Sequence, residues 1–322
     1  MFGDPHVITF DGMIYNLPGT GCDYVMGLDV AGGSWFIYGR MRPCGNIAEG
    51  VCLEAVTIYA HGDAIELQRG WIVNHQGKKV ETAELLAPIT VGEFGVEFKG
   101  STLIVSLLLG QEISYGRRLQ DWLRVYWDGL TTVTIEAPQT AQTQGLCGDN
   151  NQDPMNDFDV WGTFNNDVLV LAESMKVDRD WECADGQRPL TMEQMKGLCG
   201  KKKFKKAGDK CAKIFEANEL RNCVYDKQPY IDACIYDQCK GLNLKNDLYP
   251  WMVIPKVDKV LVPGCNAAEA YAMKCAMQTW DNDGNVIAAL DMTDWEIGTS
   301  LCPVPSTKKL NIPKLGCPQT FM

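Results

Sequence analysis

Leu123-Arg-Val-Tyr-Trp-Asp128-Gly129-Leu-Thr-Thr-Val-Thr-Ile135 is the stretch that decides the fold class. Its β-branched and aromatic residues flank an Asp-Gly pair, which suits the positive φ angles of a two-residue hairpin turn. In that register Trp127 pairs with Leu130. Leu123, Val125 and Trp127 then share one face, and Arg124, Tyr126, Thr131 and Val133 share the other. Toward the N-terminus similar short runs recur at 7–10, 35–38, 56–59, 64–67, 96–98 and 103–108. Gly, Asp and Asn punctuate them at intervals of roughly 8–12 residues, a pattern of all-β sandwiches and barrels. The first part, residues 1–182, is therefore expected to be mainly β, an antiparallel sandwich.

Beyond residue 182 the pattern changes. Thr191 and Gln194 have the spacing of a capping box at a helix start. Residues 209–222, 229–237 and 266–278 have helical composition. Ile231 and Ile235, and Tyr271 and Cys275, are four apart, so each pair lies on one helix face. Such short helices bury little apolar area unaided, so residues 183–280 are expected to form a small helical module stapled by disulfides. Residues 281–322, rich in Pro and Lys at the end, are expected to be irregular. Asp281-Asn-Asp283-Gly284-Asn285 reads as a hairpin turn.

Charge and cysteine usage bound the function. The 322 residues carry 30 Lys+Arg and 41 Asp+Glu, a net charge of −11, which disfavours nucleic acid as a partner. An apolar content of 46% excludes wholesale disorder. No apolar run approaches the roughly 20 residues a membrane helix needs. Of 14 cysteines, four lie in residues 1–182 and ten in 183–317, with no C-x-x-C pair. That density points to disulfides and an oxidising, extracellular compartment rather than to zinc. No leader peptide is visible before Asp4-Pro5, so a piece of a longer secreted chain is expected. There is no Asn-x-Ser/Thr sequon. One basic run, Lys201-Lys-Lys-Phe-Lys-Lys206, reads first as a solvated loop or helix end. A glycosaminoglycan or anionic-lipid patch is the alternative.

The densest set of oxygen donors is Asp149-Asn-Asn151-Gln-Asp153-Pro-Met-Asn156-Asp157-Phe-Asp159. Calcium takes six to eight such oxygens. Asp149, Asn151 and Asp153 match the start of an EF-hand, but Pro154 and Val160 replace the Gly and Glu that motif requires. A calcium loop on a β scaffold fits better; a polar turn with Asx capping is the plainer alternative.

Several segments together resemble one family. Gly3-Asp4-Pro5-His6-Val-Ile-Thr-Phe10-Asp11-Gly12 is similar to the opening signature of von Willebrand factor type D domains, and Cys22-Asp-Tyr24 follows it. Gly145-Leu-Cys147-Gly to Asn156-Asp157-Phe158 resembles the second signature. Pro229 to Cys239 and Ala267 to Cys275 resemble the eight-cysteine module that commonly follows, and residues 296–322 a trypsin-inhibitor-like remnant. The resemblance implies a secreted, multidomain extracellular protein of the mucin, adhesion or zonadhesin type, with extracellular protein or matrix partners and self-association. It implies a calcium site from Asp11, Asp149, Asn151, Asn156 and Asp157. It also implies the bridges Cys22–Cys183, Cys44–Cys52, Cys199–Cys239, Cys211–Cys234 and Cys223–Cys275; Cys265–Cys302 is a conjectured pairing that the resemblance does not supply. Cys147, because Gln144 stands where the family often has a cysteine, and Cys317 are left without assigned partners: they pair with each other, pair with another chain or stay free.

Two functions follow as expectations. The first is a calcium-binding structural or adhesion module without catalysis. The alternative is an oxygen-dependent luciferase of the ostracod type, which resembles the same family. Some mucin-type relatives cleave themselves between the Asp and Pro of the opening signature. Here the Asp4 carboxyl could attack its own carbonyl, Pro5 could leave, and His6 could shuttle the proton; a rigid entry to the first strand is the plainer reading of Asp4-Pro5.

Overall fold

The computed structural model describes residues 1–2, 5–18, 21–43, 51–80, 88–99, 102–113, 117–138, 141–177, 188–216, 225–240 and 265–277. The chain enters through a two-stranded ribbon, β1 (His6–Ile8) and β2 (Ile14–Asn16). An antiparallel meander follows: β3 (Asp23–Asp29), β4 (Trp35–Pro43), β5 (Val51–Ala60), β6 (Asp63–Gln68), β7 (Ile72–His75) and β8 (Lys78–Lys79). A second meander contains β9 (Ile89–Val91), β10 (Phe94–Lys99), β11 (Thr102–Ile113), β12 (Arg117–Trp127) and β13 (Val133–Glu136). Strand β14 (Thr143–Gln144) returns to pair with β3 at the edge of the first sheet. The helices are α1 (Val168–Ser174), α2 (Met192–Cys199), α3 (Lys201–Ile214), α4 (Gln228–Lys240) and α5 (Cys265–Met277).

The five- and seven-stranded sheets share one core. Trp35, Ile37, Ile58, Ile65 and Leu67 from the first meet Val96, Leu103, Val105, Val125 and Trp127 from the second. Alternation along β6 shows why: Ala64, Glu66 and Gln68 face outward while Ile65 and Leu67 are fully buried. Helix α1 adds Leu171 and Ala172, and the segment after it runs along β3 through Val177 N to Asp23 O at 2.9 Å.

The decisive hairpin forms with a different register. Trp127 pairs with Val133, and Val125 with Ile135. The loop is five residues long because Asp128 Oδ1 accepts from the N–H groups of Leu130, Thr131 and Thr132 at 2.8, 3.0 and 2.9 Å. Gly129 is still required: its φ is +78°, and a Cβ there would lie 2.4 Å from the Trp71 ring. Val133 therefore shares the buried face of Trp127, not the face of Arg124 and Tyr126 expected from a two-residue turn.

The helices pack a second, smaller core of Ala207, Phe215, Tyr230, Ala233, Ala267, Ala268 and Tyr271 with Cys211, Cys234, Cys239 and Cys275. Cys199–Cys239 and Cys211–Cys234 are bridged as expected. Cys22, Cys52 and Cys275 are also disulfide-bonded; their expected partners Cys183, Cys44 and Cys223 lie outside the described residues, as do Cys302, Cys317 and the turn at 281–285. Cys147 is free and buried. The capping box at Thr191 and Gln194 is present. Helix α3, by contrast, begins at Lys201, eight residues before the expected Asp209, because Lys and Ala propagate a helix well. The lysine run is thus its first half.

The ribbon lies between the two cores. Val7 and its cross-strand partner Tyr15 belong to the sheet core. Ile8 and Ile14, paired one step along, pack against the helical core. His6, fully buried, points the same way. Asn16 Oδ1 lies 2.6 Å from its Nδ1, and Asp237 Oδ1 of α4 lies 3.0 Å from its Nε2.

Candidate metal centre

The turn between β1 and β2 sets the first wall of the site. Thr9 Oγ1 accepts from Gly12 N and Met13 N at 3.1 and 2.8 Å, and Gly12 takes a φ of +101°. This tight turn projects Asp11 toward the loop that follows β14. Asp11 Oδ2 accepts from Asn151 N at 3.0 Å and Oδ1 from Gln152 N at 2.8 Å, across 140 residues of sequence.

The acidic loop is itself anchored. Leu146 N and Cys147 N donate to Val25 O and Met26 O of β3, and Phe10 N donates to Cys147 O at 2.8 Å. Asn150 and Gln152 adopt positive φ of 60° and 74°, a conformation costly for non-glycine residues. Asn150 Nδ2 compensates by donating to Pro138 O and Ala141 O, both at 3.0 Å. A Cβ on Gly148 would fall 1.9 Å from Asp157 Oδ1, so only glycine lets that carboxylate close in. Asp157 is buried and accepts from the Thr9 hydroxyl at 2.6 Å.

The result is a carboxylate triad. Oxygens of Asp11, Asp149 and Asp157 lie within 4.8 Å of one another. Burial, with the Asp11 charge next, pushes the Asp149 carboxyl up to about 6. Burial likewise pushes Asp157 up to about 7, the Asp11 and Asp149 charges adding to it and the Thr9 hydroxyl opposing. Asp149 Oδ1 and Asn156 Oδ1 are buried without a hydrogen-bond partner. Unpaired buried oxygens beside mutually repelling carboxylates are what a hard cation would satisfy, and the donor set is all oxygen, as calcium prefers.

The expected ligands are not all equally placed. Asn151 Oδ1 accepts from Asp153 N at 2.7 Å, and its amide nitrogen donates to Asp149 Oδ2 at 2.7 Å. Asp153 Oδ1 caps Met155 N at 3.0 Å, an Asx turn beside the triad. Thr9 and Gly148 were not singled out in sequence, although Thr9 sits two residues before Asp11 and Gly148 directly after Cys147. Of the cleavage motif, Asp4 lies outside the described residues, Pro5 occupies the turn before β1, and both ring nitrogens of His6 are engaged.

This pairing of a strand-turn aspartate with a distant acidic loop coincides with a family match. The model of the von Willebrand factor type D domain matches residues 1–159. Residues 1–159 are a von Willebrand factor type D domain. The triad falls wholly within it, with Asp157 near its end. IgGFc-binding protein of Homo sapiens is 26% identical over 256 residues, 74% of this chain and 4% of that protein. SCO-spondin of Gallus gallus is 26% identical over 294 residues, 88% of this chain and 5% of that protein. Alpha-tectorin of Mus musculus is 25% identical over 336 aligned positions, 99% of this chain and 14% of that protein. These relatives are extracellular proteins that carry the type D domain, and this chain spans only 4% to 14% of their lengths. No helix among the described residues is long and apolar enough to cross a membrane.

Proposed function

We propose that this chain is a calcium-stabilised structural or adhesion module of a secreted, larger extracellular protein, assembling with protein or matrix partners rather than catalysing a reaction. The observation that carries the reading is the junction of Asp11, Asp149 and Asp157 within 4.8 Å, drawn from the first turn of the β domain and the loop after its last strand. Asp11, Asp149, Asp157 and the Asn156 amide oxygen would hold the ion, with Asn151 on the rim. A bound calcium ion would supply positive charge to a chain at −11 and tie the two ends of the β domain together. The residues themselves do the rest: Thr9 orients Asp157, and the backbone of Asn151 and Gln152 orients Asp11. The two bridges of the helical module suit an oxidising extracellular setting. The luciferase alternative has no observation in its favour and is set aside.

The test is thermal melting with chelator and with calcium. A ligand specific to the folded state stabilises by about 2.7 kcal/mol at 100 times its dissociation constant. Millimolar calcium should raise the melting temperature, and Asp157→Asn should remove most of the rise. An identical melting curve in chelator and in calcium, with no ion retained on desalting, would overturn the assignment.

A further inference from the structure

We propose that the exposed face of α3 is a binding site for a sulfated polysaccharide strand. Residues 201–214 contain seven lysines against one acidic residue, Asp209, in a chain whose net charge is −11. The helix sorts them. Ala207 and Cys211 are buried, and Phe204 and Ile214 pack on the helical core. Lys201, Lys202, Lys205, Lys206, Lys210 and Lys213 are all exposed. Lys203 is exposed too, and its Nζ donates to Cys239 O at the end of α4, at 3.3 Å.

At 100° per residue, Lys202, Lys206, Lys210 and Lys213 form one row along the outer face, about 6 Å apart over about 16 Å. Among the described residues none of these four has an ion-pair partner. Helix propensity suits these lysines, but their charges at the start of the helix and along the row cost stability. Lys201, Lys202 and Lys203 occupy the first turn, where the helix dipole opposes cations; that turn has no acidic residue and its Gly200 cap gives no side-chain bond. Lys202, Lys206 and Lys210 also repel one another at four-residue spacing. An external polyanion relieves both penalties at once.

The shape of the patch selects among polyanions. A membrane-surface helix needs a free apolar face beside its lysines. Here that face is the helical core, and the exposed positions of α3 offer only Lys and Asp209. A linear chain bearing sulfates at short intervals needs only the row itself.

The probe is a heparin-derived oligosaccharide, with affinity measured by calorimetry on the full chain at several salt concentrations. The wild type should bind, with log K falling against log salt at a slope of about −3 for four contacts. Replacing Lys202, Lys206, Lys210 and Lys213 together by Gln should weaken binding by about tenfold or more and flatten the slope. The same four changed to Arg should keep it. Lys78→Gln with Lys79→Gln, on the exposed strand β8, should change affinity less than about twofold, because those lysines lie off the row. No binding at about 50 mM salt would overturn the proposal, since screening is weak there. Equal loss in the Gln and β8 variants would also overturn it. So would binding to phosphatidylserine vesicles without binding to the oligosaccharide, or lysine-dependent self-association in its place.

Discussion

The two cores of this molecule are built on opposite principles. The sheet core is large and made of Val, Leu, Ile and Trp brought together by pairings far apart in sequence. Among the described residues the helical core contains no buried Leu or Val; its buried set is mostly Ala, Cys and aromatics, with Met195, Ile231 and Ile235. Small residues let α2, α3, α4 and α5 approach closely, but they release little apolar surface from water. Two described disulfides make up that deficit, one closing 40 residues and the other 23. The contrast teaches that cysteine density tracks the poverty of the core rather than the compartment alone, since both regions share one compartment. It also explains why the first 182 residues carry only four of the 14 cysteines.

Removing one bridge should weaken the helical core and leave the sheet core intact. Cys211→Ser with Cys234→Ser should destabilise the helical core by about 2–4 kcal/mol. The loss should appear as melting of helical circular dichroism while tryptophan fluorescence of the sheet core holds. Simultaneous loss of both signals would show that the two cores are one cooperative unit.

The seam between the two cores carries its own polar link. His6 of the ribbon and Asp237 of α4 are both buried and 3.0 Å apart, so Asp237→Ala strips a buried ring of a charged partner. The expected destabilisation is about 1.5–3 kcal/mol. It should also separate the two transitions in a calorimetric scan. An unshifted single transition would mean that this link carries no coupling.

The smallest expected effect is a pH dependence confined to the sheet region. In the fold Asp149 and Asp157 keep their protons up to about 6 and about 7, against an ordinary value of 3.8. The folded state therefore binds more protons than the unfolded state across that interval, and its stability falls as pH rises through it. In chelator, the melting temperature should drop by a few degrees between about pH 5 and pH 8, modest because Asp149 is partly exposed and screened. Asp157→Asn should shrink the drop, and calcium should abolish it. A rise over that interval, cancelled by Asp157→Asn, would invert the sign and refute the account.

How much of this was legible in sequence depends on the reach of each interaction. The β-prone run at 64–67, the capping box at Thr191 and Gln194, and the face shared by Ile231 and Ile235 all follow from contacts within four residues, and each is present. The four-apart pair of Tyr271 and Cys275 is likewise buried together. The pairing of Cys199 with Cys239 and of Cys211 with Cys234 followed from family resemblance, not from spacing. Spacing alone showed the carboxylates as a cluster only in the acidic loop; that Asp11 belongs with them came from the family resemblance, and the fold added how it does so, by accepting from the backbone of Asn151 and Gln152 across 140 residues.

Composition and periodicity by themselves determined a β region followed by a disulfide-stapled helical one in an acidic chain, since each depends on what residues are rather than where they meet. Tertiary structure alone decided the rest. Asp128 captured three amide protons and lengthened the hairpin turn, which moved Val133 onto the buried face. The opening signature became the seam between two cores, because β1 turns Val7 to one and His6 to the other. Thr9 and Gly148 came to shape the pocket of Asp157. In each case the deciding contact is made by a side chain whose partner is either remote in the chain or one of several it could reach locally. Neighbouring residues do not encode that choice; the free energy of the whole packed arrangement does.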